Sequence, residues 1–128
     1  VVYSRWIDPT NWPQVKKDFF GKLQKILYIF LPDVIRKKTK ANLHAQGLGR
    51  HTHDEIMQFG VKDLQAVATI LGDKPFIFGD QPSSIDAIAY ALLAAIIVPP
   101  VKNAMQDYAK SVPQFLSYCD RIRQRYFS

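Results

Sequence analysis

The sequence is poor in the residues that staple small proteins together. One cysteine in 128 residues, Cys119, cannot close an internal disulfide, which fits a reducing compartment and gives a cytoplasmic expectation. It also excludes a zinc site built mainly from cysteine. Long apolar runs are missing too: the longest uncharged stretch, Ala87 to Val101, has 15 residues and two prolines near its end. A membrane span needs about 20 apolar residues, so a buried helix is expected here and no span. Strand-like alternation is absent, as are a Gly-rich phosphate loop, a Ser/His/Asp arrangement and any nucleic-acid-binding motif. The opening "VVYSRW" has neither an initiator Met nor a basic-then-apolar leader, so the chain reads as a fragment or a processed product.

What is present is an ordinary globular composition. With 48% hydrophobic and 22% charged residues, the chain can fill one core, and residues 1–128 are expected to form a single domain. The formal net charge of +6 is spread over "VKK", "IRKKTKA" and "RIRQR", on separate helices. A basic balance suits nucleic acid or an anionic surface, or else solvated helix faces whose acidic counterpart lies elsewhere in a longer protein. No stacking aromatic motif accompanies the charges, which favours solvated faces and no nucleic-acid partner.

Helical spacing runs through the whole chain. Asn11 is placed to cap "NWPQVKKDFFGKLQKILYIF", with a bend or break at Gly21. Pro32 suits the first turn of a second helix ending near Gly47 and Gly49. Thr52 and Glu55 have the T-x-x-E spacing of a capping box, and Ile56, Phe59, Leu64, Val67, Ile70 and Leu71 give the following helix a buried stripe. Ser83 and Asp86 repeat the device as S-x-x-D. They stand before a segment that is apolar nearly all round, which predicts a helix surrounded by others. Its buried N-terminal N–H groups would need partners, and the serine–aspartate pair supplies them. Pro99 and Pro100 stop that helix, a short one follows, and Ser111 is placed to cap the last. The expected fold is all-α, a bundle of five to six helices around a buried central helix.

With those residues in view, "LGDKPFIFGDQPSSIDAIAYA" resembles the C-terminal helical domain of the glutathione S-transferase superfamily. There a similar loop leads into a capped, buried helix whose capping aspartate is a folding element. "GLGRHTHDEI", "VKDLQAVATILGDKPF" and "YCDRIRQRYF" are similar to the branch that contains the failed axon connections and metaxin proteins and their bacterial relatives. The similarity runs from about Trp6 to Phe127.

The resemblance implies a preceding thioredoxin-like domain that binds glutathione as co-substrate and holds the thiol-activating residue. This chain would then hold no catalytic residue and no cofactor of its own, and would be inactive in isolation. Its partners would be its own N-terminal domain and a possible second copy. The helical half usually walls the second-substrate pocket with its first helices, which here implicates Tyr3, Trp6 and Trp12. The other reading has these rings pack against the absent domain or the core. A non-catalytic interaction module of the metaxin type, whose relatives act in mitochondrial protein import, is the alternative function.

Three constellations remain. Arg50 and His51, with His53, surround a helix start, where N–H groups favour anions; the plainer account pairs Arg50 internally and leaves the histidines in solvent. Asp63 falls on or beside an apolar stripe, where a buried carboxylate would need a partner such as Arg50 or Tyr90. The histidine spacing gives no metal site, and Cys119 reads as a packed thiol rather than a nucleophile.

Overall fold

Apart from one antiparallel bridge between Phe76 and Gly79, all regular structure in the described residues, 1–127 of a computed structural model, is helical. In chain order the helices are α1 (Val2–Trp6), α2 (Trp12–Phe20), α3 (Lys25–Gln46), α4 (His53–Leu71), α5 (Ser84–Ile97), α6 (Ala104–Ser111) and α7 (Pro113–Tyr126). A single 3-10 turn, Leu48–Arg50, joins α3 to α4. Seven α-helices stand where five to six were expected, because Val2–Trp6 forms a short helix of its own ahead of the first one expected. The chain forms two compact units, Val1–Ile56 and Met57–Ser128, divided within the first turn of α4.

In the first unit α1 and α2 pack on α3. The break expected at Gly21 is there, since α2 ends at Phe20. The second helix, however, starts seven residues before Pro32 and carries it inside. Proline has no N–H, so the Tyr28 carbonyl loses its helical donor, ordinarily a serious cost. Here the ring is almost fully buried, and that packing offsets part of the loss. Gly47 ends α3 at φ 101°, a backbone setting that side chains with a Cβ rarely adopt. Arg36 ties α3 to α1: its Nε donates to the Trp6 carbonyl (3.0 Å) and a terminal nitrogen to that of Ile7 (2.9 Å). These are orphan carbonyls at the C-terminus of α1.

In the second unit α5 packs on α6 and α7, and α6 on α7. Leu93, Met105, Ala109, Phe115, Tyr118 and Ile122 are buried there. Gly60 of α4 faces α6 so closely that a Cβ would overlap the Met105 sulfur. The buried Gln106 side chain closes the far end of α5, donating from Nε2 to the carbonyls of Ile96 (3.0 Å), Ile97 (3.4 Å) and Pro99 (2.6 Å). It supplies the donors that a helix C-terminus lacks.

Two expectations are corrected here. The apolar helix α5 is not enclosed on all sides: Asp86 and Leu93, one heptad apart, are buried, while Ile85, Ile88 and Leu92 are exposed. An apolar circumference marks the faces able to pack; how many neighbours reach them is a tertiary matter. Asp63 is exposed rather than buried. The buried positions of α4 are Ile56, Met57, Leu64 and Leu71, whereas Asp63 shares its face with Phe59 and Ile70, both also exposed. The expected stripe of Ile56, Phe59, Leu64, Val67, Ile70 and Leu71 is wider than the buried face, and Asp63, about 100° from the buried Leu64, lies on the part left in solvent.

Candidate functional site

The first unit gathers the aromatic residues that open the chain. Trp6, half-buried on α1, packs tilted against Trp12 (5.9 Å between centroids) and Phe19 (5.6 Å), and edge-on to Phe20 (6.0 Å). These separations suit aromatic pairs. Trp12 is buried at the start of α2 and carries the Arg36 guanidinium over its ring at 5.0 Å. Tyr3 sits apart from them, against His53 at 5.7 Å. The three rings of the proposed wall therefore fall into two groups, the tryptophans with α2 and Tyr3 with the start of α4.

Near Tyr3 lies a buried carboxylate, Asp8, that no motif or spacing singles out. Asp8 accepts from the Thr10 N–H (2.9 Å) and from Asn11 Nδ2 (3.3 Å). His53 Nδ1 stands 3.9 Å from Oδ2, the oxygen that accepts from Asn11, close enough for an ion pair once the imidazole is protonated. Burial, and then the charge of Asp8, push the Tyr3 phenol above its usual range. Tyr3 therefore stays protonated near neutral pH and can donate a hydrogen bond, but is no ready base. The adjacent Ser4 hydroxyl is buried with no hydrogen-bond partner among the described residues.

Arg50 and His51 are engaged locally. Arg50 donates from Nε to the His44 carbonyl (3.1 Å) at the end of α3, and His51 Nδ1 lies 3.4 Å from Glu55. Glu55 in turn accepts from the Thr52 N–H (2.8 Å), and the Glu55 N–H donates to the Thr52 hydroxyl (3.3 Å). The start of α4 thus already holds a carboxylate, kept below its usual range by the Thr52 hydrogen bonds.

The strongest polar cluster belongs to the second unit. Asp86, 2% exposed, accepts from the Ser83 N–H (2.8 Å) and hydroxyl (3.0 Å), the Ile77 N–H (2.9 Å) and the Tyr118 hydroxyl (2.9 Å). Burial pushes its pKa up, but the four donors outweigh it and the net shift is downward. Burial and the Asp86 hydrogen bond raise Tyr118 far above its usual range. Asp86 thus joins the loop after α4, the start of α5 and the middle of α7. Burial, and then Asp120, push the Cys119 thiol up to about 11, which leaves it an unreactive thiol at neutral pH. Among the described residues no group of three or more His, Cys, Asp or Glu is placed to hold a metal ion. No helix among them is long and apolar enough to cross a membrane.

Comparison with known proteins decides the family. Residues 60–122, which carry this cluster, match the family model described as the glutathione S-transferase C-terminal domain. Over 98% of its length the chain is 29% identical to the isoprene-epoxide–glutathione S-transferase of Rhodococcus sp. (strain AD45). The chain belongs to the glutathione S-transferase superfamily. Other relatives of this superfamily member are Failed axon connections of Drosophila melanogaster, 32% identical, and Metaxin-2 of Homo sapiens, 27% identical, each over 99% of the chain. The chain spans 53%, 33% and 44% of the lengths of these three relatives, so it corresponds to about half or less of each. No solved structure gives a match. The Asp86 cluster falls wholly inside the matched segment, and the aromatic residues of the first unit lie outside it.

Proposed function

We propose that this chain is the second-substrate half of a cytoplasmic glutathione transferase-like protein. Glutathione and its thiol-activating residue would be supplied by a thioredoxin-like domain outside the sequence. The observation that carries the reading is the state of the chain's own candidate groups: Tyr3 is held protonated by burial and Asp8, and Cys119 is raised to about 11. Neither is a base that could take the proton from a thiol at neutral pH. What this half offers is the half-buried Trp6 edge and the Tyr3 hydroxyl, an apolar surface and one donor for an electrophilic substrate. The similarity to a bacterial isoprene-epoxide–glutathione S-transferase supports an electrophile as that substrate.

The test uses the protein with its preceding domain. Trp6→Ala should raise KM for the electrophile severalfold and leave retention on immobilised glutathione unchanged. Loss of retention together with turnover would place Trp6 in structure rather than in a pocket.

A second reading, a non-catalytic interaction module, rests on its own observation. Ile26, Leu27, Phe30 and Val34 share the outward face of α3 and are 48–74% exposed. Similarity to Failed axon connections and Metaxin-2 supports it. A protein that neither binds glutathione nor turns over, yet changes its association state on Phe30→Asp, would favour this module.

A further inference from the structure

Between Ile7 and α3 in the first unit lies an open cavity of about 300 Å³, lined by Ile7, Asp33, Arg36, Lys37 and Lys40. That volume falls at the lower end of small-ligand sites. The four polar residues are at i, i+3, i+4 and i+7, so they form one stripe of the helix and face the cavity together. Arg36 is fixed before any ligand arrives, by the Trp6 and Ile7 carbonyls and by the Trp12 ring. Two of its five N–H groups are used and three remain. Lys37 and Lys40 make no hydrogen bond or ion pair among the described residues, and Asp33 makes none either. Three cations and one carboxylate leave the cavity two positive charges in excess, with the donors side by side on one helix face.

We propose that this cavity binds a phosphate monoester. Such a group carries about −1.5 to −2 charge at pH 7, which matches the excess, whereas a single carboxylate leaves half of it unbalanced. The held guanidinium presents a fork to two phosphate oxygens and the lysines add point charges. Asp33, at the same rim, accepts from a hydroxyl on the ester's carbon skeleton. The site is independent of the second-substrate reading, because none of its residues belongs to the proposed wall. A phosphate monoester reaches the cavity either as a soluble ester or as a lipid headgroup, and the exposed Phe30 and Val34 lie beside the stripe on the same helix.

The experiment has two arms on the same protein. Calorimetric titration with glycerol 3-phosphate, with acetate as comparator, reads the soluble source. Co-sedimentation with phosphatidylcholine vesicles, with and without phosphatidic acid, reads the headgroup. Lys37→Ala and Lys40→Ala should each weaken the observed binding about fivefold, and Lys38→Ala, the same charge off the stripe, should leave it unchanged. Binding in the first arm alone identifies a soluble ester; binding in the second identifies a lipid. No binding in either arm, acetate as good as the phosphate ester, or equal losses from Lys38→Ala and Lys40→Ala would each overturn the proposal. All three lysines are exposed, so these variants should fold.

Discussion

The two capping boxes of this chain share a device and differ in setting. At α4, Thr52 and Glu55 exchange hydrogen bonds in solvent, with His51 beside them. At α5, the Ser83–Asp86 box is sealed, and the same carboxylate also accepts from Ile77 and Tyr118. In water each lost bond is replaced by a bond to solvent; in the interior each lost acceptor strands its donors. One motif therefore serves as a helix start in the first case and as the junction of three segments in the second.

Removing the carboxylate of the sealed box should have the largest effect. Asp86→Ala leaves two backbone N–H groups and a buried phenol unpaired, a loss of about 3 kcal/mol or more. Thermal unfolding should show a greatly lowered Tm or no cooperative transition, and an unchanged Tm would equate the two boxes. Next is the opposite end of α5. Gln106→Leu strips the donors from the Ile96, Ile97 and Pro99 carbonyls and should cost about 1–3 kcal/mol in urea unfolding. Tyr118→Phe deletes one donor from a carboxylate that keeps three, with an expected cost of about 1 kcal/mol by the same measurement. Thr52→Ala should shift Tm least, and less still in high salt, which screens the exposed Glu55 and leaves the interior carboxylate alone.

Acid separates the boxes in another way. Asp86 has a folded pKa below its ordinary value of 3.8, so its contribution is complete above about pH 4. The contribution falls away as the pH drops through the folded value, where the carboxylate must take a proton. Asp86→Asn should flatten the acid limb of a stability–pH curve, while Glu55→Gln should change it little.

The S-x-x-D spacing was readable because capping is a local contact, made within four residues. Gln106, Asp8 and Arg36 left no such trace. Each is one polar residue in a helix or turn, and its partners are backbone carbonyls, N–H groups or rings whose positions depend on how the chain folds back. Arg36 was hidden in "IRKKTKA", where every residue looked like a solvated charge. Pro32 misled because a proline at a helix start and one buried within a helix look alike until the inward packing is known. Asp63 turned on the phase of a stripe that carried more apolar residues than the core could take up. Family membership was legible because the loop and the box are adjacent in sequence; the cavity beside α3 was not, because Ile7 and Lys40 are 33 positions apart.

The Tyr118 bond to Asp86 has a bearing on how the molecule comes into being. During synthesis the aspartate is made 32 residues before the phenol that completes its coordination. Until then, the growing polypeptide carries a carboxylate at the foot of a greasy helix with an acceptor site still open to water. The fully enclosed aspartate, with all four donors in place, therefore exists only once the closing segment has emerged.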